Sequence, residues 1–283
     1  MDQKIIGVVG AGQMGSGIAE VALSSGFSTL MRDVSNEALE KGKKRIVQNL
    51  ERRVQKGKIN TDERKAILDR LSTTTHLEDF QNCDFVIEAA TEQIDLKREI
   101  FRVLDKVARV GTILASNTSS ISITRIAAFT GRPERVIGMH FFNPAPVMKL
   151  IELIRGMTTS EETWQTAKEL SLKFGKTPLE AKDFPGFISS RLIFSFMNEG
   201  IYALYEGLGA KEEIDQIMKM GANHPMGPLE LADLVGLDTV LSVMKILQEA
   251  FGDKYRPCPL LVKHVEAGYL GVKAGRGFYL YKG

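Results

Sequence analysis

Six residues, Gly10-Ala11-Gly12-Gln13-Met14-Gly15, constrain this chain more than any other feature, because of what flanks them. The apolar run Ile5-Ile6-Gly7-Val8-Val9 precedes them and a helix-like stretch follows. Asp33 closes a second apolar run eighteen residues past Gly15. Strand, glycine turn, helix and an acid at that distance make up the dinucleotide-binding fingerprint. Gly10 permits the tight turn, Gly12 lets a pyrophosphate approach the backbone, and Gly15 lets helix and strand pack closely. The N–H groups at the helix start, around Gln13 and Met14, then face the phosphates. Asp33 accepts hydrogen bonds from the adenosine ribose hydroxyls. Its charge repels a 2′-phosphate and favours NAD, while the adjacent Arg32 leaves NADP possible.

Beyond the fingerprint, strand-like and helix-like patterns alternate. Strands are expected at 4–9, 27–33, 84–89, 112–116, 136–141 and 149–154, with helices at 13–24, 35–55, 95–107 and 161–174. Crossovers of this length predict a Rossmann-type, doubly wound, mostly parallel sheet. The segment 41–58 is longer and more basic than an ordinary crossover, which suggests an inserted helical pair. Asp183-Phe184-Pro185-Gly186 breaks the alternation, and helices follow at 187–206, 211–220, 227–234, 238–250 and 260–267. Strand-type alternation returns only in a short tail at 277–281. The expectation is therefore an α/β fold with a dinucleotide-binding domain over 1–184 and a second, all-helical domain over 185–283.

A chain of 283 residues with 43% apolar and 25% charged side chains has a sizeable core. Its 37 basic and 35 acidic residues leave a net charge of +2, which indicates neither bulk nucleic-acid nor membrane affinity. No apolar stretch approaches the ~20 residues that span a bilayer. Cys83 and Cys258 are isolated, as in a reducing cytosol. The first strand begins almost at Met1, so no signal or transit peptide is expected. Tyr281-Lys282-Gly283 carries no peroxisomal address, and the expected location is cytoplasmic.

In open parallel sheets the ligand sits beyond the carboxyl ends of the strands. Polar residues at those ends are Glu92 with Lys97 behind it, Asn117-Thr118-Ser119-Ser120, and His140 before Asn143-Pro144-Ala145-Pro146. Glu152 follows His140 by twelve residues, a separation that a strand–turn–strand excursion closes. Oxidising an alcohol with NAD requires a base for the hydroxyl proton. Histidine suits this, with an unperturbed pKa of about 6.5. A carboxylate on the far ring nitrogen fixes the tautomer and stabilises the imidazolium, and Ser119 is placed to bond the substrate oxygen. The same residues also fit a core histidine bonded to backbone and an exposed strand acid. His76 falls in a polar turn, His264 on a helix surface, and His224 at a helix start with a capping or packing role. No grouping has metal-ligand spacing. The basic run Lys41 to Lys58 reads either as a solvated helix face or, through Arg52 and Lys56 at i,i+4, as a clamp for a phosphate-bearing ligand.

Several motifs together resemble the L-3-hydroxyacyl-CoA dehydrogenase family, and within it the short bacterial members acting on 3-hydroxybutyryl-CoA. They are GAGQMGSGIA at 10–19, VIEAATE at 86–92, ILASNTSS at 113–120 and VIGMHFFNPAPVMKLIELIRG at 136–156, followed by DFPGF at 183–187, NHPMGPLELAD at 223–233 and GRGFYLY at 275–281. The resemblance covers essentially the whole chain, with no fused hydratase or thiolase. It implies that His140 is the base, Glu152 its partner, and Ser119 the contact to the substrate's 3-oxygen. Asn117, Asn143, Glu92 and Lys97 are then expected around the nicotinamide and its ribose, with Arg52 and Lys56 gripping the coenzyme A nucleotide. The implied partner is an acyl-CoA thioester. The implied assembly is a homodimer joined through the helical domain, with the active site between the domains.

One position departs from the family pattern. After Pro-Gly-Phe the family ordinarily places an asparagine before the arginine, reaching the acyl group, whereas Ser190 stands here before Arg191. A serine is shorter and lacks the amide's two-sided bonding. A functional but slower enzyme is expected, with Ser190 as a weakened active-site contact. Two rivals stand beside this reading. One is a dehydrogenase of free β-hydroxy acids, against which the His140–Glu152 pair and the basic helix speak. The other is an attenuated dinucleotide-binding protein, supported by Ser190 alone.

Overall fold

Short runs rich in Val, Ile and Leu become the central strands of a parallel sheet when helices cover both faces. The computed structural model, which describes residues 4–281, arranges them in this way. In chain order the elements are β1 (Ile5–Val9), α1 (Gln13–Ser24), β2 (Ser28–Arg32), α2 (Asn36–Gln55), α3 (Thr61–Leu68) and β3 (Leu71–Thr74). Then come β4 (Phe85–Glu88), α4 (Ile94–Val107), β5 (Ile113–Ser116), α5 (Ile123–Ala127), β6 (Val136–Phe141), β7 (Leu150–Arg155), α6 (Glu161–Lys173) and β8 (Thr177–Lys182). One sheet runs β3-β2-β1-β4-β5-β6-β7-β8. Every pairing is parallel except β6 with β7. The strand order reverses between β1 and β4, the switch point at which such sheets bind ligands.

The helices follow from local chemistry. Ser35 caps α2 through the Ala38 N–H, Glu37 lies in its first turn, and Arg52 and Arg53 lie in its last, each matching the helix dipole. Leu39, Ile46 and Leu50 form its buried stripe, and the basic residues occupy the other face. Stretch 41–58 lies mostly within α2, and α3 follows with a capping box on Asn60 and Glu63. In α4 the buried stripe is Ile100, Phe101 and Leu104, joined by one charged residue, Lys97.

Two strands escape the sequence patterns. β3 is a four-residue edge strand reading Leu-Ser-Thr-Thr, and β8 is the opposite edge, mostly exposed and interrupted by Pro178. Edge strands bury one side at most, and Pro is tolerated there, so neither shows the apolar run of a central strand.

The chain divides into two compact units, Met1–Asp183 and Phe184–Gly283. The second contains α7 (Ser189–Tyr205), α8 (Lys211–Gly221), α9 (Pro228–Val235), α10 (Leu237–Phe251) and α11 (Pro259–Glu266). Its core joins Met197 and Ile201 of α7 with Leu229, Val240, Met244 and Leu261. The tail expected to be strand-like forms only isolated bridges, Gly271 with Arg276 and Arg276 with Leu280. Its Phe278 and Tyr279 N–H groups donate to the Asp233 carboxylate instead of to a strand. Among the described residues no helix is long and apolar enough to cross a membrane.

Candidate active site

The glycine turn after β1 is built as a cradle. Gly10 adopts φ +111°, and a Cβ there would stand 2.6 Å from the Ala89 carbonyl oxygen. At Gly15 a Cβ would fall 1.9 Å from the Gly10 oxygen, so α1 can approach the turn only without a side chain. A Cβ on Gly12 would meet nothing within 4 Å, and no side chain caps α1. The first-turn N–H groups of α1, at Gln13 and Met14, therefore lack intrahelical partners, and the space beside Gly12 is open. The residues present fit a dinucleotide pyrophosphate. Asp33, just past β2, is fixed by the Ala11 N–H at 2.6 Å and the Val34 N–H at 2.7 Å. Arg32 turns away and donates to the Thr75 carbonyl at 3.2 Å.

Antiparallel pairing of β6 and β7 sets His140 directly opposite Glu152. Opposed residues project from the same face of a sheet, which is why a twelve-residue separation closes to a contact. His140 Nδ1 lies 2.8 Å from Glu152 Oε2, and the two residues are 9% and 4% exposed. The Phe142 ring packs 4.8 Å from the imidazole. Between the strands, residues 142–149 include a cis Asn143–Pro144 bond. Lys176 secures this turn by donating to the Ala145 and Met148 carbonyls at 2.6 and 2.7 Å. Burial pushes the Lys176 ammonium pKa down.

The ends of β4, β5 and β6 are laced together. Asn117 donates its N–H to the Glu88 carbonyl, and its side chain accepts the Phe141 N–H at 2.9 Å. The Glu92 carboxylate accepts Thr118 Oγ1, the Ser119 N–H at 2.7 Å and Ser119 Oγ at 3.2 Å. Lys97, expected beside the nicotinamide, is 1% exposed and places its ammonium 2.7 and 2.9 Å from the two oxygens of Glu88. It stands 3.5 Å from Glu92. Glu88 escaped the sequence reading because it ends an apolar strand. An acid in so buried a strand, nine residues before a lysine, was the available signal.

Asn143 accepts a hydrogen bond from Gln13 Nε2 at 2.9 Å, tying the turn after β6 to the start of α1. Beside this contact a recess of about 290 Å3 touches Gln13, Asn143, Arg52 and Pro146. Arg52, Asn49, Pro144 and Pro146 also line a larger groove of about 770 Å3, in which Lys56 joins Arg52. Its floor carries Glu20, 1% exposed, bonded to Asn49 Nδ2 at 2.9 Å. Burial raises the Glu20 pKa, against the opposing pull of the Asn49 bond and of Arg53 and Lys176. Neither Asn49, Glu20 nor Lys176 carries a motif that singles it out.

Ser190 lies in the helical unit, buried at the second position of α7. The other histidines differ in setting. His76 is exposed, His224 stacks on Phe196 with ring centres 4.8 Å apart, and His264 is half-buried. His264 was expected on a surface, but it packs 4.6 Å from the Phe278 ring because the tail folds over α11. Among the described residues no group of three or more His, Cys, Asp or Glu side chains could hold a metal ion.

Residues 5–184 match the family described as 3-hydroxyacyl-CoA dehydrogenase, NAD binding domain, and residues 186–281 match 3-hydroxyacyl-CoA dehydrogenase, C-terminal domain. The probable 3-hydroxybutyryl-CoA dehydrogenase of Bacillus subtilis (strain 168) is 55% identical, covering 100% of this chain and 99% of its own. The 3-hydroxybutyryl-CoA dehydrogenase of Bradyrhizobium diazoefficiens is 53% identical, covering 99% and 96%. Among solved structures, (S)-3-hydroxybutyryl-CoA dehydrogenase from Ralstonia eutropha superposes with a TM-score of 0.96 at 47% identity, covering 100% of both chains.

Proposed function

The chain belongs to the 3-hydroxyacyl-CoA dehydrogenase family, and from that premise we propose that it interconverts (S)-3-hydroxybutyryl-CoA and acetoacetyl-CoA. It is an NAD-binding oxidoreductase. NAD, when bound, supplies the acceptor for the hydride that leaves C3 of the substrate. Every other task falls to the chain's own side chains. His140 takes the hydroxyl proton at Nε2 in oxidation and returns it in reduction. Glu152, bonded to Nδ1, fixes the ring's tautomer and stabilises the imidazolium. Ser119 bonds the substrate's 3-oxygen, and Ser190 contacts the acyl group in place of the family's asparagine. Gly10, Gly12, Gln13, Met14, Gly15 and Asp33 hold the dinucleotide, with Asn117, Asn143 and Glu92 at its nicotinamide end and Lys97, buried on Glu88, behind Glu92. Arg52 and Lys56 grip the coenzyme A nucleotide.

The His140–Glu152 contact, buried and set by strand register, carries this reading. A lone core histidine has no need of an opposed, buried carboxylate. The groove at Arg52 and Lys56 supports a thioester over a free acid, because a free β-hydroxy acid has no distant phosphate to engage. Arg32, held on the Thr75 carbonyl, and Asp33, fixed at the glycine turn, favour NAD over NADP.

The assembly we propose is a homodimer formed through the helical unit. An apolar groove of about 1060 Å3 crosses α7, α8 and α9, where Leu208, Ile217 and Met220 are 73%, 67% and 82% exposed. Apolar surface of this kind marks an association site. The two cysteines are unpaired and buried, which fits a cytoplasmic protein.

The experiment is a coupled comparison of substrates and coenzymes, following reduced-coenzyme absorbance. NADH consumption with acetoacetyl-CoA, and little with NADPH or with free acetoacetate, is expected. Equal rates on free acetoacetate would transfer the protein to the free-acid class. No turnover on either would identify an attenuated binding protein. Sedimentation showing a monomer would remove the dimer.

A further inference from the structure

We propose that Glu88 is a positioning residue: by sharing the Lys97 charge, it keeps the Glu92 carboxylate on Ser119. The inference rests on the reading above, in which Ser119 bonds the substrate's 3-oxygen.

Glu88 is 0% and Lys97 1% exposed. Four hydrogen bonds from three donors satisfy the carboxylate: Lys97 Nζ on both oxygens, Ser116 Oγ at 2.6 Å, and the Ala90 N–H at 2.7 Å. Such a pair is a poor source of stability, since the desolvation of two ions cancels their attraction and apolar residues of similar volume would pack as well. The reason for charges at this place lies in the ammonium's second carboxylate neighbour, Glu92, at 3.5 Å. Glu92 is partly exposed; its Oε2 faces Lys97 and also accepts Thr118 Oγ1, while Oε1 accepts both the N–H and the hydroxyl of Ser119.

One carboxylate is thus suspended between a buried cation and the loop that carries Ser119. With Glu88 ionised, the buried pair is neutral and the pull of Lys97 on Glu92 is weak. Without that charge, Lys97 becomes an uncompensated cation in a low-dielectric site and draws on Glu92. The carboxylate then leaves the Ser119 N–H and hydroxyl, and the serine loses its fixed orientation. A displacement of this kind changes the rate of the chemical step more than substrate affinity.

The test measures what Ser119→Ala costs in three backgrounds, using acetoacetyl-CoA and NADH. In the wild type the replacement should lower kcat by about tenfold or more. Glu88→Gln alone should lower kcat by a similar factor, with KM for acetoacetyl-CoA changed by less than about twofold. In the Glu88→Gln background Ser119→Ala should then cost almost nothing further. Glu88→Asp, which keeps the charge, should restore most of kcat. A Ser119→Ala cost equal to that in wild type would make the buried pair merely structural and overturn the inference. Should Glu88→Gln fail to fold, Glu88→Gln combined with Lys97→Met removes both charges and the pull on Glu92. There Ser119→Ala should recover its wild-type cost, and its disappearance would overturn the inference. A wild-type protein that does not consume NADH with acetoacetyl-CoA would defeat the functional reading, and this inference with it. An active wild type with unchanged serine costs defeats this inference alone.

Discussion

In the sheet unit, buried carboxylates face other ionisable groups: Glu152 bonds the His140 imidazole and Glu88 the Lys97 ammonium. In the helical unit, Asp215 accepts the Leu229 and Glu230 N–H groups and the Tyr279 hydroxyl. Asp233 accepts the Phe278 and Tyr279 N–H groups and the Tyr281 hydroxyl. Burial drives the Asp215 pKa up despite these donors, and burial beside Asp215 and Asp233 drives the Tyr279 and Tyr281 hydroxyls up. Backbone amides cannot change charge, and tyrosine hydroxyls whose pKa is pushed up keep their protons, so the two aspartates act as fasteners for the start of α9 and for the C-terminal tail. An imidazole or an ammonium can redistribute charge within its pair. Burial of an acid therefore says little about its role, and the partner's chemistry says much more.

Replacing residues on each side of this contrast should give opposite signatures. His140→Gln, which keeps a donor for the buried Glu152 carboxylate, should lower turnover by about 10²–10⁴-fold, while NADH binding by fluorescence and the melting temperature stay near wild type. Retained turnover would break the contrast at its root. Asp233→Ala should do the reverse. It strands three donors, one buried and two half-buried, costing on the order of 3 kcal/mol and lowering Tm by roughly 10 °C. Its kcat per folded molecule, measured well below that temperature, should hold. A kcat loss without a Tm loss would show Asp233 to be more than a fastener.

Ser190 is the helical unit's exception, since the family resemblance gives it a functional neighbour's place. Ser190→Asn should raise kcat/KM by about tenfold through the restored amide contact. An unchanged or lower value would return Ser190 to the structural side.

Glu20 stands between the two classes, with a side-chain amide as its hydrogen-bond partner and burial as the main influence on its pKa. Because the folded state raises that pKa, the protonated form is favoured there. Wild-type stability is therefore lost as pH rises through the folded-state pKa. Glu20→Gln does not titrate and should melt higher than wild type at neutral pH, by on the order of 2 °C. The gap should close as pH falls to where both carboxyl states are protonated. A melting series from acid to neutral pH that shows a constant gap would contradict the assigned direction.

Most of the sheet was legible because its central strands are apolar on both faces and its helices carry one buried stripe. The edge strands β3 and β8 were not, because edges need no such run. His140 and Glu152 could be paired in sequence because a short turn between strands brings opposed residues together. Glu88 was hidden for the opposite reason: its partner arrives from the following helix, and a strand's last residue gives no sign of what packs above it. Lys97 could be placed at the sheet's ligand edge behind Glu92, but its burial depends on that same unseen acid. Arg52 and Lys56 were visible as i,i+4 neighbours, whereas the groove around them also needs Lys176 and the turn after β6, which lie far away in sequence. Local periodicity thus predicts elements and cross-strand pairs, and charge burial emerges only with tertiary packing.

The claim that the imidazole and its opposed carboxylate act as one proton-transfer unit is tested most directly by comparing kcat in His140→Ala, Glu152→Gln and the double variant. The account predicts that each single change is severe and that the double variant is no slower than His140→Ala, because the carboxylate assists proton transfer only through the ring. Losses that multiply across the two positions would show that the residues contribute independently, and the assigned mechanism would not stand.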